Sequence, residues 1–163
     1  MKSVPFLLIL AMSHTVYCQN YPLEKRKIDF NLKNEYPSII TSLMAGALEG
    51  TAETLKWHYS DFAEAFPKAN KQFWNPQYSW DNKYKNGQKE LGPKFFGANT
   101  FLVWTTDGYH AMRFSRNLLL TTTLALHPMH KKKKWYNYAF DLAVHTLAFQ
   151  VGFHSTYSLA FKR

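Results

Sequence analysis

Apolar side chains recur every three or four positions at Ile40, Met44, Leu48, Ala52, Leu55, Tyr59, Phe62 and Phe66. This is the stripe of an amphipathic helix. Pro37-Ser38 predicts its start, with proline suited to a first turn and serine to a cap, and Pro67 its end. Residues 67–98 lose the pattern. They are dense in Asn, Gly and Pro and carry Phe73, Trp74, Tyr78, Trp80, Tyr84, Phe95 and Phe96, which predicts a long connection packed by its own rings rather than disorder. Helical spacing returns over about 100–126. His127-Pro128 and a lysine run then make a turn, and a last helix fits 135–161. There is no internal repeat and no strand pattern. The predicted fold class is all-α, with three long helices (roughly 38–66, 100–126 and 135–161) and one long aromatic-rich loop.

The first residues change the setting. Met1-Lys2 is a short positive start, Val4 to Met12 is apolar, and Ser13 to Cys18 is more polar. That is the layout of a signal peptide, expected over 1–18, since an apolar run so short spans no bilayer. A polar, basic leader over 19–36 and a single helical domain over 37–163 are expected to follow. Cys18 is the only cysteine. A chain cut after it has no disulfide, no thiolate metal site and no cysteine nucleophile, so its stability has to come from packing.

Formal net charge is +9, with Lys25-Arg26-Lys27 and Lys131 to Lys134 as clusters. An exported protein seldom meets nucleic acid, so the expected counterpart is anionic membrane lipid or another envelope component. The segment from Trp135 to Phe161 holds no Lys or Arg and has Trp135, Tyr136 and Tyr138 near one end, like an interfacial belt. The preceding helix carries Asp107, Arg113 and Arg116, each costing about 2.5 to 3.5 kcal/mol at a bilayer centre. Two locations stay open. One is a transmembrane two-helix hairpin with Lys131–Lys134 cytoplasmic. The other is a periplasmic bundle associated with the inner membrane, in keeping with a mean hydropathy of −0.37.

Several polar pairs sit at helical spacing. Glu49 and Glu53 are four apart, beside Gly46 and Gly50. Asp107 and His110 are three apart, and Asn137, Asp141 and His145 follow every four. Such pairs project side by side, as ligands do in helical-bundle metal sites, and imidazole with carboxylate suits zinc or iron. Asp107, His110 and His145 are therefore candidate metal ligands, and Glu53 and Asp141 candidate catalytic residues. The inert alternative is a structural ion network in which Arg113 or Arg116 reaches Asp141, with Glu49 and Glu53 on a solvated face. Gly108 marks either a kink within its helix or a later helix start at which Asp107 favours the dipole. Trp74, Tyr78, Trp80 and Tyr84 could bind glycan or peptide by stacking, or pack the loop onto its helices. Lys83 and Lys85 occupy ligand positions of what would otherwise resemble a calcium loop. No Gly-x-Ser-x-Gly, Walker loop or His-Glu-x-x-His is present.

Distinctive strings run through the chain: Gly50-Thr51-Ala52-Glu53-Thr54 with His58-Tyr59, Gln72-Phe73-Trp74-Asn75-Pro76, Ser79-Trp80, Asn82-Lys83-Tyr84, Gly92-Pro93, and Thr105-Thr106-Asp107-Gly108-Tyr109-His110. Over residues 45–160 these resemble a family of small exported or membrane-associated helical proteins of bacteroidete bacteria. No activity is assigned to that family. The resemblance implies export and a helical fold, and it carries over no functional residue.

Three functions are compatible with these residues. The leading one is a non-enzymatic, envelope-associated helical protein with the aromatic loop as contact surface. The second is a metal-dependent envelope or lipid enzyme with a carboxylate/histidine site between helices. The third is a glycan- or peptide-binding module.

Overall fold

The computed structural model describes residues 27–127 and 133–161. The signal peptide, the first part of the leader and Lys131-Lys132 lie outside them. The all-α expectation holds: the described residues form helices and turns, with one isolated antiparallel bridge between Tyr84 and Pro93.

Helix α1 spans Leu32–Trp57 and starts five residues before Pro37. Asn31 is its cap, accepting from the Lys33 amide at 3.0 Å, and Glu35 lies in the first turn, where the helix dipole favours a carboxylate. Pro37 removes one helical donor without ending the helix, and the Thr41 hydroxyl donates to the Ser38 carbonyl one turn on. At His58 the backbone leaves helical geometry (φ −140°, ψ 46°) and α2, Tyr59–Ala65, continues in a new direction. The stretch expected as one helix over 38–66 is thus two.

The long connection folds into two one-turn helices, α3 (Lys71–Trp74) and α4 (Pro76–Ser79), capped by the side chains of Asn70 and Asn75. Three 3₁₀ turns follow. Helix α5 spans Gly108–Leu126, not 100–126. Asp107 caps it, and residues 100–106 form turns. It stops at His127, whose extended ψ of 129° is what a following proline imposes. Helix α6 spans Trp135–His154 and ends in a π turn over Ser155–Ala160.

Helix α1 is the hub. It packs along both α5 and α6, which hardly meet each other. Thr123 of α5 sits beside Thr41, and Arg116 beside Glu49, so α5 runs antiparallel to α1. His145 sits beside Ser42 and Phe149 beside Gly46, so α6 runs parallel to it. The α1–α6 crossing is backbone to backbone. A Cβ at Gly46 would meet the Phe149 carbonyl, and one at Gly152 the Leu43 carbonyl. Gly50 faces Phe153 and Thr156 in the same way, and the Thr156 hydroxyl donates to the Ala47 carbonyl at 3.0 Å.

The predicted stripe of α1 does not face inward as a whole. Ala52, Leu55 and Phe62 are buried, but Met44 is exposed and Ile40 and Leu48 only half-buried. The buried face of α1 comprises Glu35, Ser38, Ser42, Ala45, Gly46 and Gly50, continuing through Ala52, Thr54 and Leu55. Apolar packing concentrates at the other end of the bundle, where Leu55, Phe62 and Phe161 meet Tyr59, Trp74 and Met112. Among the described residues no helix is long and apolar enough to cross a membrane. The transmembrane hairpin is therefore set aside: Asn137, Asp141, His145, Gln150 and His154 interrupt the apolar run of α6.

Candidate functional site

Where α1 begins and α5 ends, the bundle interior is ionic. Glu35 enters from the first turn of α1, Asp141 and His145 from successive turns of α6, and His127 from the end of α5. Lys133 comes from the connection that follows. Glu35 is 2% exposed and Asp141 3%, so these charges have left water and must be paired. Lys133 does most of that. Its ammonium donates to Glu35 Oε1 at 3.1 Å and to Asp141 Oδ2 at 2.8 Å. Burial works against the Lys133 charge, but the two carboxylates outweigh it and hold the pKa above the ordinary lysine value.

The other oxygen of Glu35 is placed differently. Oε2 stands 3.0 Å from His127 Nδ1, yet the two are out of line for a hydrogen bond and neither satisfies the other. Asp141 Oδ1 is also buried without a hydrogen-bond partner. His127 Nε2 is 3.5 Å from Asp141 Oδ2, and its ring packs edge-on to that of His145, with centroids 5.4 Å apart. His145 Nδ1 is 3.0 Å from the Ser42 hydroxyl. Burial, reinforced by the neighbouring His127, pushes the His145 pKa below the usual histidine value and favours the neutral ring. Glu35, His127 and His145 each bring one ligand atom within 4.8 Å of the other two.

Beside this cluster, between α5 and α6, runs a groove of about 450 Å³. Leu120, Leu124, Leu142 and Phe149 line it, and Ser42, Asp141 and the two histidines reach its wall. An apolar cleft with a few convergent polar groups is the usual form of a small-molecule site.

The residues singled out from sequence fall into separate places. Asp107, His110 and His145 do not form one ligand set. Asp107 is fully buried as the cap of α5, accepting from the His110 amide at 2.9 Å and meeting His110 Nδ1 at 2.8 Å. Gly108 is the first residue of the helix, not a kink within it, and its missing side chain admits the Trp74 ring. His145 belongs to the other cluster. Arg113 and Arg116 do not reach Asp141 either. Both point at Glu49, with Arg116 Nη1 at 2.9 Å from Oε2 and Arg113 Nη2 at 3.8 Å from Oε1. The physical reason is the packing order: α5 meets α1 rather than α6, so Glu49 faces α5 instead of solvent. Glu53 is half-buried and accepts from the Trp57 indole at 2.9 Å, outside the ionic cluster.

In the aromatic set, Trp74 packs against Phe62, with ring centroids 5.4 Å apart, and Trp80 against Tyr109 at 6.0 Å. Tyr78 is exposed. Lys83 lies over the Tyr84 ring at 5.6 Å. Trp74 and Trp80 thus fasten the loop to the helices, while Tyr78 and part of Trp80 face outward.

Glu35, His127 and Lys133 escape a reading by motif. Glu35 looks like leader, His127 like a turn before proline, and Lys133 like one of four surface lysines. The available signal is the polar spacing Glu35, Ser38, Ser42 on α1, which matches Asn137, Asp141, His145 on α6.

The role of Asp107 as a cap is directly testable. Asp107→Ala should lower stability by about 1 kcal/mol, within the roughly 0.5 to 2 kcal/mol range for lost caps. Asp107→Asn, which can still accept from the His110 amide, should keep most of it. Urea midpoints of the two variants will show the difference.

No family model, no curated protein and no solved structure matches the chain.

Proposed function

We propose that this chain is an exported, envelope-associated helical protein that binds an anionic membrane surface through the outer sides of α5 and α6 and the lysine-rich segment between them. The supporting observation is an inverted distribution of polarity. Glu35, Asp141 and Asn137 are buried while Leu142 is 69% and Leu147 66% exposed, with Leu118, Leu124, Val151 and Trp135 also outward. Exposed leucines one at a time mean little, but many together over a polar interior mark a surface meant to be covered. Helix α6 has apolar residues on nearly every side, a pattern that calls for apolar surroundings beyond its own bundle. Because no described helix can cross a membrane, the association is interfacial.

Magnitudes assign the roles of charge and apolar surface. Lysines near an anionic surface contribute about 1 kcal/mol each, and with Lys133 buried between Glu35 and Asp141 the other three of the run give about 3 kcal/mol, an affinity weaker than millimolar. Apolar burial adds about 25 cal/mol per Å², and micromolar binding requires it. The protein should sediment with vesicles containing phosphatidylglycerol and much less with pure phosphatidylcholine. Lys131→Ala with Lys132→Ala, sparing the buried Lys133, should weaken binding about thirtyfold, since about 2 kcal/mol is removed. If the protein stays in the supernatant with both kinds of vesicle, the proposal fails.

A further inference from the structure

The ionic cluster does more than pair charges. Two carboxylates and one ammonium meet there in a place removed from water. Burial of that kind is costly unless a proton or a cation balances it. Glu35 Oε2, His127 Nδ1 and Asp141 Oδ1 are left without hydrogen-bond partners. Lys133 takes Glu35 Oε1, and Oε2 is turned toward His127 without a hydrogen bond to it. Ser42 engages His145 at Nδ1, as the outer-shell partners of metal-ligating histidines do, leaving Nε2 for a ligand.

We propose that Glu35, His127 and His145 bind a divalent transition-metal ion, zinc or ferrous iron in class, at the head of the groove between α5 and α6. Two imidazoles and one carboxylate suit these ions, and the combination leaves coordination positions open. Ligands about 2.1 Å from a metal stand about 3.4 Å from one another. The three ligand atoms already lie within 4.8 Å of each other, so rotation of side chains closes the remainder. Asp141 lies outside this set, its Oδ2 held by Lys133 at 2.8 Å. The groove supplies the entry path. Among the described residues no other histidine and carboxylate set converges in this way, and Asp107 with His110 is a separate pair.

The test is a cobalt titration of the full chain after removal of metal with chelator, in the absence of vesicles. Stoichiometric Co²⁺ with visible d–d absorption is expected, displaced by Zn²⁺. Binding should weaken at least about tenfold in Glu35→Gln, His127→Ala and His145→Ala, and stay unchanged in His110→Ala and His154→Ala. Glu35→Gln keeps the shape of the side chain, and its helical circular dichroism shows whether the fold survives. If a histidine variant unfolds, the rise in Tm on adding Zn²⁺ to the native chain but not to Glu35→Gln carries the same information. Absence of Co²⁺ absorption, or binding lost in His110→Ala while His145→Ala retains it, would overturn the proposal.

Discussion

Lys133→Met should cost about 3 to 5 kcal/mol of stability, the penalty for removing one partner of a buried ion pair. Lys133 Nζ bridges Glu35 and Asp141 at 3.1 and 2.8 Å, and without it two buried carboxylates repel with only imidazoles near them. The loss is the cost of stranded charge and does not measure what the bridge contributes overall. Neutralising the partners as well, in Lys133→Met with Glu35→Gln and Asp141→Asn, should therefore recover most of it. Urea unfolding followed by circular dichroism will show both effects. Equal stability of the single and triple variants would mean that the charges are not stranded, and that solvent reaches them once the lysine is gone.

Gly46→Leu should destabilise by about 3 kcal/mol, at the upper end of the cost of overpacking. A leucine is intrinsically the better helix former by almost 1 kcal/mol, so a net loss isolates the clash. The obstacle is the Phe149 carbonyl, which is backbone and cannot rotate away as a side chain would. Gly152→Ala should destabilise in the same sense through the Leu43 carbonyl. The pair should be less than additive, because either substitution already pushes α1 and α6 apart. An unchanged urea midpoint for Gly46→Leu would show that the two helices do not cross at this distance.

The legible parts of the fold were those with strong local punctuation. Pro128 ends α5 and the lysine run precedes α6, so those two boundaries can be read from the residues. The start of α1 is hidden because Pro37 outweighs the weaker cap signal of Asn31 with Glu35. The start of α5 stays open between about 100 and Asp107 in the sequence because Phe101, Leu102 and Trp104 mimic helical spacing, although they lie in turns before the Asp107 cap. The site is obscured for a different reason. Assigning the apolar stripe of α1 to the core assumes that large side chains face inward, but around Gly46 the helices approach too closely for them. Small and polar residues fill that face, and Glu35, His127 and Lys133 lie where the stripe points away. His145 and Asp141 stand out as a pair from spacing alone. Their partners do not, since they come from a helix start, a helix end and a connection.

The polar interior also bears on how the protein responds to temperature. Heat capacity rises on unfolding chiefly because apolar surface becomes hydrated, by about 12 to 15 cal/mol/K per residue in ordinary domains. Here Leu118, Leu124, Leu142, Leu147 and Val151 are already hydrated in the free folded chain, and exposure of Glu35, Ser38, Ser42 and Asp141 subtracts from the total. Its unfolding increment should lie below that range, giving a flat stability curve with little gained or lost between cold and physiological warmth. Covering the outer leucines would restore the missing increment, so calorimetry with and without vesicles would register the surface they occupy as a change in curvature.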